Sequence, residues 1–301
     1  MKTSMITLRR ILCPVDFSDF SKQALDRAMV IARWYEAELV VVHVMPVVPT
    51  VLPFPSATVP DVAALDPHAV GRELQSFVDA AGPAPPRPQT IVRMGAPAAA
   101  ILDLAREVNA DLLVLGTHGR TGFERVMLGS VTEKVMLKAT CPVLTVPRAL
   151  DGGAQAPVFR RILCGMDFSE ASLRGLKFAL SLCGESGGHL TLLNVVEWMP
   201  EASLPGLPEL DLKQFGASLV SEAQARLEQL VPAETRDWCE INASVRIGKP
   251  YVEILRTAAE ESTDLVVLGV QGRGPLDRMV FGSTTQHVVR TAACPVLTVR
   301  P

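Results

Sequence analysis

"GTHGRTGFERVMLGSVTEKV", residues 116–135, places four glycines and two arginines directly before a segment with helical character. The chain repeats this stretch as "GVQGRGPLDRMVFGSTTQHVV", residues 269–289. Both copies contain the spacing glycine, two residues, glycine, nine residues, glycine, then serine. Composition alone does not produce equal spacing in two places, so we interpret the pair as an internal repeat and the 301-residue chain as two domains of one kind.

The repeat extends over most of the chain. "RRILCPVDFSDFSKQAL" (9–25) aligns with "RRILCGMDFSEASLRGL" (160–176), and "CPVLTVPR" near the end of the first copy aligns with "CPVLTVRP" in the second. Proline-rich stretches in the middle of each copy differ in length and are interpreted as loops. The Gly, Ala and Pro content of "RALDGGAQAPVF" indicates a linker. We therefore predict one domain over residues 1–149, a linker over 150–158 and a second domain over 159–301.

Short apolar runs alternate with segments in which apolar residues recur at helical period. Runs that are apolar on both faces are typical of parallel strands covered by helices on both sides. Each copy is therefore predicted to be a doubly wound, Rossmann-like α/β domain of the nucleotide-binding type, in which ligands bind at the carboxyl ends of the strands. About five parallel strands are expected in each, and in the first copy they are "RILCPV", "ELVVVHV", "QTIVRMG", "DLLVLG" and "PVLTV".

Composition favours an ordinary globular protein. Hydrophobic residues make up 48% and charged residues 20%, with a formal net charge of −3, and no charge block indicates nucleic acid or membrane binding. No apolar stretch has the length of a membrane span, and the amino terminus lacks a secretory h-region, so a cytoplasmic location is expected. The six cysteines form no C-x-x-C pair, and buried reduced thiols are favoured over a zinc site.

The glycine-rich stretch follows a predicted strand and precedes a predicted helix. Ser130 with Glu133, and Ser283 with Gln286, have the spacing of a capping box at the helix start. A helix N-terminus attracts anions, and glycines allow an anion to approach the backbone, so we predict phosphate binding. The alternative is that the glycines serve turns and the serines only cap helices. The spacing is neither that of a Walker A loop nor that of the dinucleotide G-x-G-x-x-G motif.

An aspartate ends the first strand of each copy, Asp16 and Asp167. At that place a carboxylate can accept a hydrogen bond from a ribose hydroxyl or hold a metal bound to phosphates. The alternative role is the N-cap of the following helix, for which Ser18 and Ser169 compete.

These motifs resemble those of the universal stress proteins, in the tandem form with two domains in one chain. The resemblance covers nearly the whole chain, and the glycine spacing is its most specific element. Similarity to the ATP-binding branch of the family implies ATP, with or without Mg, whose phosphates contact the loop. It further implies that the aspartate meets the ribose or adenine and that second-strand backbone near Val44 and Val195 meets the base. The implied binding residues are Pro14, Asp16, Val44, Gly116, Gly119, Arg120, Gly129, Ser130 and Val131, then Asp167, Val195, Gly269, Gly272, Gly282, Ser283 and Thr284.

The resemblance also implies pairing of domains through the last strand, within the chain and in a homodimer. The second copy departs from the pattern, with Gly165 for Pro14, Gln271 for His118 and Pro275 in its loop. Because proline removes an amide that could face a phosphate, the first site is preferred.

Other residues in the loops leave two interpretations open. The arginines of each loop either neutralise phosphate charge or are simply solvated. His118 is interpreted as a loop histidine without a catalytic role, and His43 as a hydrogen-bonded core residue. The arginines are Arg120, Arg125, Arg273 and Arg278.

Three functions compete. The first is a nucleotide-dependent stress-response regulator that binds ATP. The second is an interaction or scaffold protein of the same fold that binds no nucleotide. The third is an enzyme of a related α/β fold, which the absence of H-x-G-H and S-G-G-x-D-S strings disfavours. We find no nucleophile paired with a general base, so no dedicated activity is predicted, although slow ATP hydrolysis stays open.

Overall fold

The computed structural model describes residues 6–46, 66–82, 87–119, 128–147, 159–197, 209–233, 235, 239–270 and 282–301. The predicted linker, most of the proline-rich loops and the middle of each glycine-rich stretch lie outside these residues. The chain divides into two compact units, Thr7–Arg148 and Ala149–Pro301. None of the helices in the described residues is long and apolar enough to cross a membrane.

The first unit is a parallel sheet in the order β3-β2-β1-β4-β5 with helices between consecutive strands. Strand order reverses between β1 and β4, which pair side by side through Ile11 and Leu112. The elements are β1 (Arg10–Pro14), α1 (Asp19–Tyr35), β2 (Glu38–Met45), α2 (Pro67–Ala80), β3 (Gln89–Met94), α3 (Pro97–Glu107), β4 (Leu112–Gly116), α4 (Ser130–Lys138) and β5 (Val143–Val146).

The second unit repeats this arrangement, with parallel strands in the order β8-β7-β6-β9-β10. The predicted doubly wound fold with five strands in each copy is confirmed. The elements are β6 (Arg161–Gly165), α5 (Glu170–Ser186), β7 (His189–Val196), α6 (Glu209–Gln229), β8 (Glu240–Ile247), α7 (Pro250–Glu260), β9 (Leu265–Gly269), α8 (Ser283–Thr291) and β10 (Val296–Val299).

The central strands form the core of each unit. Leu12 and Leu113 are fully buried in the first unit, as are Leu163 and Val266 in the second. Adjacent residues of a strand point to opposite faces of the sheet, and all four residues of "LLVL" in β4 are buried. This burial is the physical reason that these strands read as continuous apolar runs.

The first helix of each unit begins with the same side-chain cap. Ser18 Oγ accepts a hydrogen bond from the Ser21 amide at 3.3 Å, and Ser169 Oγ accepts one from the Ser172 amide at 3.2 Å. The serines, and not the preceding aspartates, are therefore the N-caps, which leaves Asp16 for another role.

One prediction about the cysteines is wrong. Cys183, on α5, and Cys239, directly before β8, form a disulfide with their Cα atoms 6.0 Å apart. Both residues are buried. Sequence reasoning considered only local C-x-x-C spacing, whereas the fold brings together two cysteines that are 56 residues apart in the chain. The remaining cysteines, at 13, 141, 164 and 294, are free thiols.

Candidate functional site

The carboxylate and the glycine-rich stretch meet where strand order reverses. Asp16 follows β1, Gly116 ends the neighbouring β4, and Gly119 lies against the aspartate. A Cβ placed on Gly119 would come within 2.5 Å of Asp16 Oδ2. The two sequence signals, which are about 100 residues apart, therefore belong to one site at the carboxyl end of the sheet.

Each aspartate is held by the serine that caps the next helix. Asp16 Oδ1 accepts hydrogen bonds from the Ser18 amide at 3.1 Å and from Ser18 Oγ at 2.5 Å. Asp167 Oδ1 accepts the same two bonds from Ser169 at 2.9 and 2.6 Å. Two charge-assisted bonds to one oxygen fix the orientation of the carboxylate and direct its second oxygen away from the cap.

The residue after each aspartate has left-handed backbone. Phe17 has φ of 64° and Phe168 has φ of 61°. A non-glycine residue in this conformation costs on the order of 1 kcal/mol, and such costs concentrate at functional sites. The same unfavourable conformation recurs directly after the aspartate in both units.

The capping-box prediction for the helices after the glycine-rich stretches is wrong. Gly129 and Gly282 occupy the N-cap positions, neither helix has a side-chain cap, and Ser130 and Ser283 are already the first helical residues. The first amides of α4 and α8 therefore receive no hydrogen bond from a capping side chain. Such amides at the positive end of a helix can bind an anion.

Threonines hold these helix starts against the preceding strand. Thr132 Oγ1 donates to the Gly116 carbonyl oxygen at 2.8 Å, and Thr285 Oγ1 donates to the Gly269 carbonyl oxygen at 3.3 Å. The Gly129 amide also donates to the Thr117 carbonyl oxygen at 2.8 Å, which joins the two ends of the first loop. Sequence reasoning missed these threonines, although their equal position in the two copies was a usable signal.

The first glycine of each motif serves helix packing. A Cβ on Gly116 would lie 2.8 Å from Phe20 Cβ, and one on Gly269 would lie 2.6 Å from the Ser172 backbone nitrogen. Neither glycine has positive φ. Gly282 differs, because among the described residues the nearest atom to a Cβ there is the Val270 carbonyl oxygen, at 4.0 Å. Internal packing therefore explains Gly116 and Gly269, whereas the described residues leave space beside Gly282.

A cavity of about 710 Å³ opens at the carboxyl end of the second sheet. Its volume lies in the range of small-molecule sites. Six of the residues predicted for the second site line it, namely Asp167, Val195, Gly269, Gly282, Ser283 and Thr284. Gly272, the seventh, lies outside the described residues. The lining also includes residues that the sequence did not indicate, among them Phe168, Asn194, Glu197, Leu219, Glu222 and Arg226.

Comparison with known proteins identifies the family. The sequence model of the universal stress protein family matches residues 7–147 and again residues 159–300. The chain belongs to the universal stress protein family. Because each compact unit contains one match, it is a tandem member.

Two relatives and one solved structure that resemble the chain are also universal stress proteins. A universal stress protein of Mycolicibacterium smegmatis is 28% identical over 301 residues, which span 97% of each chain. One of Methanocaldococcus jannaschii is 34% identical over 143 residues, which span 46% of this chain and 82% of that relative. The crystal structure of a universal stress protein from Archaeoglobus fulgidus covers 99% of both chains with a TM-score of 0.64 at 22% identity.

In the first unit of this universal stress protein the predicted residues surround the same strand ends. Pro14 is the last residue of β1, and Val44 lies buried in β2. Ser130 and Val131 form the start of α4, with Ser130 exposed. Arg120 and Arg125 in the first unit, like Gln271, Arg273, Pro275 and Arg278 in the second, lie outside the described residues, so their predicted roles stay predictions.

Two histidines of the first unit, His43 and His118, lie in different environments. His43 Nδ1 is 2.8 Å from the Val15 carbonyl oxygen, which confirms the predicted hydrogen bond, but the residue is half-buried and not part of the core. His118 Nδ1 is 3.0 Å from Thr117 Oγ1, and its ring centroid is 5.2 Å from that of Phe20. Among the described residues no group of three or more His, Cys, Asp or Glu side chains is arranged to hold a metal ion.

Proposed function

We propose that this universal stress protein binds adenine nucleotide, with ATP as the ligand, at the carboxyl end of the sheet in each unit. The observation that carries the proposal is the second-unit cavity, whose lining contains six of the seven residues that the sequence predicts for this site. Those residues come from three separate parts of the chain: the segment directly after β6, the end of β7 and the β9 to α8 connection. A chance cavity would have no reason to combine them.

The proposed phosphate position is the start of α8. Ser283 and Thr284 line the cavity, and no side chain caps their helix. Uncapped amides alone are weak support, since α3 and α7 also begin without a side-chain cap. What favours α8 is the combination of uncapped amides, the adjoining cavity and the open space beside Gly282.

The proposed nucleoside position lies along β6 and β7. Asp167 would accept a hydrogen bond from the ribose, since its carboxylate is already oriented by Ser169 and its residue lines the cavity. Backbone near Val195, at the end of β7, would meet the base. If Mg accompanies ATP, the Asp167 carboxylate is the one proposed to share it with the phosphates.

The first unit supports a second site of the same kind. Asp16 has the same two bonds from its serine, Gly119 packs against it, and α4 starts without a side-chain cap. We therefore propose that both units bind nucleotide, with the preference for the first site retained as a prediction.

The proposed biological role is nucleotide-dependent regulation of a stress response in the cytoplasm, without a dedicated enzymatic activity. Its support is membership of the universal stress protein family. The same proposal includes pairing of domains through the last strands, β5 and β10, and formation of a homodimer.

Calorimetric titration of ATP into nucleotide-stripped protein tests the binding proposal. Gly282→Arg places a bulky side chain in the open space beside α8 and is expected to abolish binding at the second site while the unit stays folded. Ala293→Arg is the matched control, because it adds the same charge on an exposed residue before β10, at the opposite end of the strands. Absence of heat with folded wild type, together with no thermal stabilisation at high ATP, would overturn the proposal and favour a scaffold protein.

A further inference from the structure

A cation lies on the wall of the second-unit cavity. Arg226 projects from α6, and its Cζ atom lies 4.1 Å from the centroid of the Phe168 ring. This distance is well within the range of a cation–π contact. Both residues line the cavity, and no salt bridge to Arg226 occurs among the described residues. The ring therefore positions the guanidinium, and no described carboxylate forms an ion pair with it, although Glu222 lies one turn before it on the cavity wall.

This cation lies near the proposed ribose position. Phe168 directly follows Asp167, the carboxylate proposed to meet the ribose. Phe168 has left-handed backbone, and its ring lies against Arg226. In dinucleotide-binding folds an arginine near the ribose accommodates a phosphate on the ribose hydroxyl, whereas a carboxylate alone selects a free hydroxyl.

The first unit has an aromatic residue at the corresponding place. Aligning the ends of α2 and α6 matches Phe77 with Arg226, and it matches buried Val78 with buried Leu227. Phe77 meets Phe17 edge to face with ring centroids 5.5 Å apart. The first site thus has an aromatic wall where the second has a cation stacked on an aromatic ring.

We propose that the second site prefers adenine nucleotides that carry an additional phosphate on the ribose, and that Arg226 binds this phosphate. The first site, with Phe77 in that place, takes nucleotides with free ribose hydroxyls. This inference rests on the proposed nucleotide binding and deepens it by naming the ligand class of one site. Glu222 lies one turn before Arg226 on the cavity wall, and its negative charge opposes the added phosphate.

The test compares AMP with adenosine 2′,5′-bisphosphate and adenosine 3′,5′-bisphosphate by calorimetry, in a Gly129→Arg background that blocks the first site. One bisphosphate is expected to bind about tenfold more tightly than AMP, the low end for a hydrogen bond to a charged group. Arg226→Phe, which copies the first unit, is expected to remove this preference by lowering the affinity for the bisphosphate more than that for AMP, and Arg226→Lys to keep part of it. Glu222→Gln is expected to increase it.

Lys177→Gln is the control for loss of one positive charge, because Lys177 is exposed on α5 and does not line the cavity. The reciprocal variant, Phe77→Arg in a Gly282→Arg background, is expected to give the first site a preference for the bisphosphate. Equal affinities for AMP and both bisphosphates, or a preference that survives Arg226→Phe, would overturn the inference while leaving nucleotide binding intact. Failure of AMP and ATP to bind at all would instead refute the proposed function.

Discussion

The first and second sites share their backbone anchors and differ in the side chains around them. In both units a serine caps the first helix and orients an aspartate, and a threonine ties the later helix to the strand end. One contact with a backbone carbonyl oxygen occurs in both units although a different side chain makes it in each. His43 contacts the Val15 carbonyl oxygen in the first unit, and Asn194 donates to the equivalent Met166 carbonyl oxygen at 2.6 Å in the second.

The differences concentrate on the cavity walls and the helices behind them. Phe77 in the first unit corresponds to Arg226 in the second, and Ala32 on α1 corresponds to Cys183 on α5. Residues that set the backbone path are thus duplicated, whereas the residue beside the left-handed phenylalanine and the residue that braces the first helix have changed. The comparison teaches that duplication can keep the backbone geometry of a strand-end site while its wall changes from aromatic to cationic.

The largest expected difference between the units concerns the disulfide. The position of Cys183 holds Ala32 in the first unit, and the two cysteines of that unit, Cys13 and Cys141, are free thiols, so only the second unit is cross-linked. Removing a cross-link between residues 56 apart is expected to lower the free energy of unfolding by up to about 4 kcal/mol. Hydrogen exchange by mass spectrometry in urea, with and without reductant, resolves the two units. Cys183→Ala with Cys239→Ala should reproduce the effect of reductant.

In that experiment Cys294→Ser is the control for loss of an unbonded thiol from the same unit. Equal destabilisation of both units by reductant, or none in the second, would contradict the assignment of the disulfide.

A smaller difference is expected between two glycines of one motif. Gly269→Ala places a Cβ 2.6 Å from the Ser172 backbone nitrogen and forces the strand end away from α5, at a cost of about 1–3 kcal/mol. Gly282→Ala places a Cβ whose nearest atom among the described residues is 4.0 Å away, and it is expected to change stability by less than about 0.5 kcal/mol. Urea denaturation of the two variants measures both effects. Similar losses of stability would show that Gly282 also has a packing role.

The fold, and the convergence of the candidate-site residues at the strand ends, were predictable from sequence. Strands such as β4 are buried on both faces, and for that reason their residues form continuous apolar runs that can be recognised in the sequence. The repeat then identified the aspartates and glycines, and parallel-sheet topology brought them together. Such features are local in sequence or duplicated, and for that reason visible without coordinates.

The cavity wall and the disulfide were not predictable. Arg226 lies on α6, in the part of each copy where length and sequence diverge, so no matching residue pointed to it. The serine cap at α8 was predicted wrongly because Ser283 adopts helical backbone and Gly282 takes the cap position. Side-chain position relative to a helix start depends on φ and ψ, which the sequence pattern did not determine.

The smallest expected difference concerns two thiols at equivalent positions. Burial is the main cause that raises the pKa of the Cys141 thiol to about 11 and that of Cys294 to about 12. Both are therefore protonated near pH 8, and their alkylation by iodoacetamide should be slow and rise with pH toward 11. Because the folded state holds these protons more tightly, stability is expected to fall as pH rises above about 8.5, the ordinary cysteine pKa. Rapid alkylation of either thiol at pH 7 in the folded protein would contradict this assignment.

The most direct test of the account counts ATP molecules on each chain by native mass spectrometry of nucleotide-stripped protein. The wild type is expected to bind two, Gly129→Arg and Gly282→Arg one each, and the double variant none. Ala293→Arg should match the wild type. A wild type that binds no ATP at saturating concentration, or a Gly282→Arg variant that binds as many as the wild type, would contradict the claim that these strand-end sites hold the nucleotide.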